Sequence, residues 1–317
     1  MAWKGLLGEL VKIKRSDVLI SQYVGVIEQV RRSLDDWVPA ESLDAFRSLA
    51  ATHGLVVEVD CIFKPLENES TVVGLNLAPT TRAVGLPYVE GASKGTSVHV
   101  VVSTRADWAA ETLAAGWYPV IVNGRMVLKP HIDHKRLGHA FGYPACCVEF
   151  FMRHNNWTRL NTLADAVNAS RRIDWRANCL LKQTPCMTIY HMPCAFDCTA
   201  TLEYSTALVS AIEKLDSDYA QKIKSSLRQH FLVISEVMVY MLTGARRTDE
   251  GAIIYEEATY VGGRPAYDRY SSRLLNGNQL TIEDGIVFVW RDGQLVETLE
   301  TRCDRGIIEV PMVLSFE

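Results

Sequence analysis

The chain has 317 residues, 48% of them hydrophobic and 22% charged, and a net charge of -4. That is the composition of a globular protein with one large domain or two to three modest ones. It gives no reason to expect general binding to nucleic acid or to an anionic membrane surface.

The opening, MAWKGLLGELVKIKRS, lacks the apolar core and small-residue cleavage site of a secretory leader. A cytoplasmic protein is therefore expected. Residues 1 to 34 read as one or two amphipathic helices, with Ser16-Asp17 as an N-cap. A further helix is predicted from Pro39 to about His53, stopped by Gly54. Leu55 to Phe63, Thr71 to Leu77 and Ser97 to Ser103 read as strands, and Arg105 to Ala115 as a helix. Tyr118 to Val122 and Arg125 to Leu128, joined by Asn123-Gly124, predict a hairpin. The longest apolar stretch, Phe231 to Leu242, is too short to span a bilayer and reads as a buried helix. Asp284-Gly285 and Asp292-Gly293 punctuate a C-terminal meander. The predicted class is α+β in three regions: an N-terminal α/β layer over 1-130, a helical cysteine-bearing region over 131-247, and an antiparallel β-meander over 248-317.

Eight cysteines are present. In a reducing compartment, clustered cysteines point to metal or to thiol chemistry. Two segments share a plan: Gly142-Tyr-Pro-Ala-Cys-Cys-Val-Glu-Phe-Phe151 and His191-Met-Pro-Cys-Ala-Phe-Asp-Cys-Thr199. In each a proline precedes a cysteine and a helix-forming run follows, and a helix N-terminus favours thiolate, the form that binds metal. Cys194 and Cys198, if helical, share one face. Cys146 and Cys147 are adjacent, and adjacent side chains diverge on a helix. That favours a wide cluster, of the 4Fe-4S type, over a single zinc ion. A redox dithiol and plain packing are the alternatives. Cys179 and Cys186 could replace one ligand, whereas Cys61 and Cys303 read as packed thiols.

His191, three residues before Cys194, and His139, ahead of the vicinal pair, are the candidate proton donors. Asp197 reads as a helix cap, and Arg171-Arg172 as a solvated pair that could hold a carboxylate or phosphate. No Walker loop, G-x-G-x-x-G, G-x-S-x-G or H-E-x-x-H motif is found.

The pair G-Y-P-x-C-C-V-x-x-F and P-C-x-x-x-C resembles a domain-of-unknown-function family of archaea and scattered bacteria. The resemblance covers about residues 130 to 215. It implies a shared site at Cys146, Cys147, Cys194 and Cys198 and brings no activity with it. The expectation is an iron–sulfur enzyme of specialised or sulfur metabolism, a lyase, sulfur-transfer or redox enzyme. It would act on a small-molecule substrate, with an electron or sulfur donor protein as partner. A non-enzymatic zinc module and a thiol-disulfide redox protein are the alternatives.

Overall fold

The structure, a computed structural model, describes residues 2–14, 20–65, 83–87, 97–117, 120–122, 125–128, 131–154, 162–182, 184–262, 268–300 and 311–316. The predicted cap at Ser16-Asp17, the strand at Thr71 to Leu77, the Asn123-Gly124 turn and Cys303 lie outside them. The architecture is α+β with a C-terminal β-meander. The chain forms two compact units, Met1–Ala145 and Cys146–Glu317.

The first unit runs α1 (Ala2–Lys14), α2 (Ile20–Ile27), β1 (Ser33–Pro39), α3 (Leu43–Thr52), β2 (Val56–Pro65), β3 (Ala83–Pro87), β4 (Ser97–Ser103), α4 (Ala106–Leu113), β5 (Gly116–Trp117), β6 (Val120–Val122), β7 (Arg125–Leu128), β8 (His131–Ile132) and α5 (His134–Ala140). Its main sheet has the order β1-β4-β2-β3-β6-β7. Helix α3 ends where expected, because Gly54 takes φ +69°, a left-handed conformation that suits glycine after a helix. Strand β1 was not expected, since Asp35 and Asp36 are poor strand formers. It forms because Ser33 to Pro39 pair in full register with β4. Alternation then sends Leu34 and Val38 into a core with Leu6, Tyr23, Phe46, Val98 and Val100. Asp36, on that same face, accepts a hydrogen bond from Tyr23. Trp37 and His99 stand on the other face, with ring centroids 4.8 Å apart.

The second unit runs α6 (Ala145–His154, whose first residue closes the preceding unit), α7 (Thr162–Ala169), α8 (Thr199–Leu215), α9 (Ser217–Leu227), β9 (His230–Ser235), β10 (Met238–Thr243), β11 (Arg246–Arg247), β12 (Ile253–Ile254), β13 (Glu257–Tyr260), α10 (Ser271–Leu274), β14 (Gln279–Glu283), β15 (Ile286–Arg291), β16 (Gln294–Leu299) and β17 (Met312–Ser315). The buried helix expected over Phe231 to Leu242 is instead the β9–β10 hairpin. Both of its faces are covered, so the alternation that marks a strand disappears from the sequence. Leu232, Ile234, Tyr240 and Leu242 face a core shared with Tyr255, Leu280 and Val289, while Phe231 packs on Phe316. Strand β10 pairs with β13 and β9 with β17. Strands from the regions read as 131-247 and 248-317 therefore belong to one sheet. The meander β14-β15-β16 turns at Asp284-Gly285 and Asp292-Gly293, where all four residues have positive φ, as the tightest hairpin turns require. Among the described residues no helix is long and apolar enough to cross a membrane.

Candidate metal centre

The four thiols of Cys146, Cys147, Cys194 and Cys198 meet in the second unit. Their sulfur atoms all lie within 4.8 Å of one another, a group able to bind a metal ion. The Sγ atoms of Cys146 and Cys147 are 3.9 Å apart, those of Cys146 and Cys198 3.7 Å, and those of Cys147 and Cys198 3.8 Å. The expected divergence of the vicinal pair does not occur. Both residues sit in the first turn of α6, where side chains lean toward the helix N-terminus and the two sulfurs converge beyond its end.

Cys194 and Cys198 reach the group in a different way from the one expected. They do not share a helical face, because α8 begins only after Cys198, which is its N-cap residue. The intervening turn is closed by the Cys198 N–H on the Ala195 carbonyl at 3.0 Å. Two helix N-termini, those of α6 and α8, thus lie at the sulfurs, and their positive ends favour thiolate.

The turn is clamped from the segment after α7. Phe196 donates its N–H to Ser170 Oγ at 2.6 Å, and its carbonyl accepts from Asp174 N–H at 3.3 Å. Asp197 does not cap a helix. It accepts from the Arg171 N–H and pairs with the Arg171 guanidinium, both at 3.4 Å. The Phe196 ring, fully buried, packs on Phe316, 5.5 Å between centroids.

The environment is unequal around the four sulfurs. Cys147 is buried and Cys146 exposed, with Cys194 and Cys198 between. The Cys147 sulfur lies 3.2 Å from Thr201 Oγ1 and accepts the Cys194 N–H at 3.4 Å. Burial pushes the Cys147 thiol far up and that of Cys194 up to about 12. Burial opposes charge at Cys198 too, but the Thr201 N–H and hydroxyl, with the Cys194 and Cys146 thiols, hold it below the ordinary value. A cation among the sulfurs reverses this balance by taking the protons' place.

His191 is buried, with Nε2 3.1 Å from Thr201 Oγ1. A proton on Nε2 directs the Thr201 hydroxyl toward Cys147, so His191 stands one residue behind the thiols. His139 is exposed on α5 of the first unit. Cys179, buried and pushed up to about 12, and Cys186, half-buried, stand outside the group. Thr201 and Ser170 went unnoticed in the sequence; the one signal was a hydroxyl residue three positions after a cysteine at a helix start. An open groove of about 900 Å³ beside the turn is lined by Arg171, Arg172, Arg176, Asp197, Thr199 and Glu203, among others. Its arginines are already paired, Arg171 with Asp197 and the other two with Asp174. Compared with protein-family models, curated proteins and solved structures, the chain matches none.

Proposed function

We propose that the second unit is a zinc-stapled module in which Cys146, Cys147, Cys194 and Cys198 hold one ion. One observation carries the reading: the sulfurs of Cys146, Cys147 and Cys198 are 3.7, 3.8 and 3.9 Å apart, and that of Cys194 lies within 4.8 Å of each. Zinc–thiolate bonds of ~2.3 Å in a tetrahedron put sulfurs about 3.8 Å apart. A four-iron cluster carries each thiolate on a separate iron, which spreads the sulfurs to roughly 6 Å. The spacing therefore weighs against the iron–sulfur reading and supports a single ion. Thiolate sites bind zinc more tightly than ferrous iron, which supports zinc within that class. Four protein ligands fill a tetrahedral ion, the pattern of structural sites; catalytic zinc keeps one position open. On this reading His191 positions a ligand through Thr201 and is not a proton donor to substrate.

Metal analysis with a visible spectrum tests the proposal. The expected result, for protein purified without oxygen, is a colourless sample with about one zinc per chain. A brown sample with broad absorption near ~400 nm and several irons per chain overturns it in favour of a cluster. Cys194→Ala is expected to lower zinc retention sharply under a competing chelator. Unchanged retention removes Cys194 from the ligand set.

A further inference from the structure

We infer that Cys146 is the reactive thiolate of this centre, the sulfur that attacks a soft carbon electrophile, an alkyl donor. The inference rests on the single-ion reading above.

A tetrahedral ion with four protein ligands offers no open position, so chemistry at such a centre falls to the ligands themselves. A metal keeps its thiolates deprotonated at neutral pH and leaves each sulfur a lone pair. Four thiolates around one divalent ion also leave an excess of negative charge, which alkylation of one sulfur reduces. Which sulfur reacts depends on access and on the hydrogen bonds it accepts, because a donated N–H or O–H draws electron density from sulfur.

The two criteria select the same residue. Cys146 is exposed while Cys147 is buried and the other two are half-buried. Cys147 has the Thr201 hydroxyl and the Cys194 N–H at its sulfur, and at Cys198 the Thr201 N–H favours the charged form. The Cys146 sulfur has the sulfurs of Cys147 and Cys198 beside it, at 3.9 and 3.7 Å, and that of Cys194 within 4.8 Å. Cys194, among the described residues, has no N–H or hydroxyl donor at its sulfur either, but it is half-buried. Among the described residues, Cys146 is the one cysteine of the four that is exposed and has no such donor at its sulfur.

The step balances without an oxidant. A sulfur lone pair of Cys146 forms the new S–C bond, and the bond from that carbon to its leaving group breaks. The leaving group departs with the bonding pair, and no proton is transferred. Cys146 becomes a neutral thioether and a poorer ligand.

The test treats the zinc-loaded full chain with limiting iodoacetamide and maps the label by peptide mass spectrometry, with zinc measured in parallel. Fragmentation of the peptide that carries both adjacent cysteines assigns the label. Cys146 is expected to react at least about tenfold faster than Cys147, Cys194 or Cys198, and Cys146→Ser to abolish the fast phase. Zinc-loaded protein labelled first at another ligand, or equally at all four, overturns this inference alone, as does a fast phase at the other ligands that survives in Cys146→Ser. A chain that holds no zinc overturns the metal reading and this inference with it.

Discussion

Burial acts against charge at both Cys147 and His99, yet the two residues end in opposite states. At Cys147 burial, with the Cys194 and Cys198 thiols beside it, pushes the thiol up and favours the neutral form. His99 is as deeply buried, but its Nδ1 lies 2.9 Å from Asp60 and its Nε2 3.6 Å from Asp35. Burial alone would lower its pKa; the hydrogen bonds and charges of Asp35 and Asp60 override it and raise the value to about 9. The sign for stability follows. The unfolded chain binds this proton less tightly than the folded one, so the stabilisation is complete below the unfolded pKa of ~6.5. It is lost as pH rises toward about 9, and its full size is about 3 kcal/mol. Denaturant titrations between pH 6 and pH 10, followed by tryptophan fluorescence, are expected to show this decline in the native sequence and a flatter profile in His99→Gln. Parallel profiles for the two proteins would remove His99 as the source.

At the scale of elements, the cysteine turn depends on a neighbour far from it in sequence. Ser170 Oγ accepts the Phe196 N–H at 2.6 Å and donates to the Ala166 carbonyl at 2.6 Å, joining α7 to the turn. Ser170→Ala leaves a backbone N–H without this partner and is expected to cost about 1–3 kcal/mol. Exposed Thr52, which donates to Leu49, is the control: Thr52→Ala is expected to stay within about 0.5 kcal/mol. Equal shifts in the denaturant midpoint would show that the clamp contributes nothing. This dependence also explains what the sequence could and could not reveal. The stop at Gly54 and the Asp-Gly turns of the meander were legible because backbone sign is a local requirement. The thiol group was legible because four cysteines in two short segments are hard to explain by packing. Its internal geometry was not, since the convergence of Cys146 and Cys147 depends on their place in the first helical turn. Strand β1 was hidden because its aspartates are stabilised by Tyr23 and His99, partners distant in sequence. The β9–β10 hairpin was hidden because burial on both faces erases the period of two.

At the scale of the whole molecule, each unit has its own apolar core, and the thiol group lies wholly in the second. One core of the second unit, formed by β9, β10 and the meander, contains no sulfur from the thiol group, whereas Cys147 is buried, as are Phe150, Phe196 and Leu208 of the helical part. The cysteine turn reaches β9 through Phe196, Phe316 and Phe231, whose rings meet edge to face with centroids 5.5 Å apart at each step. On the single-ion reading, metal binding is expected to be expressed mainly as order in the turn and the helix starts, and only weakly in the core of β9, β10 and the meander. Native-state hydrogen exchange with and without a chelator checks this. Removal of the metal is expected to deprotect the amides of Cys194, Phe196, Cys198 and the first turns of α6 and α8. The amides of β9 and β10 are expected to lose little, and those of β1, β2 and β4 none. If chelation instead deprotects both units together, the ion is a staple for the whole chain, and the division into independently ordered units fails.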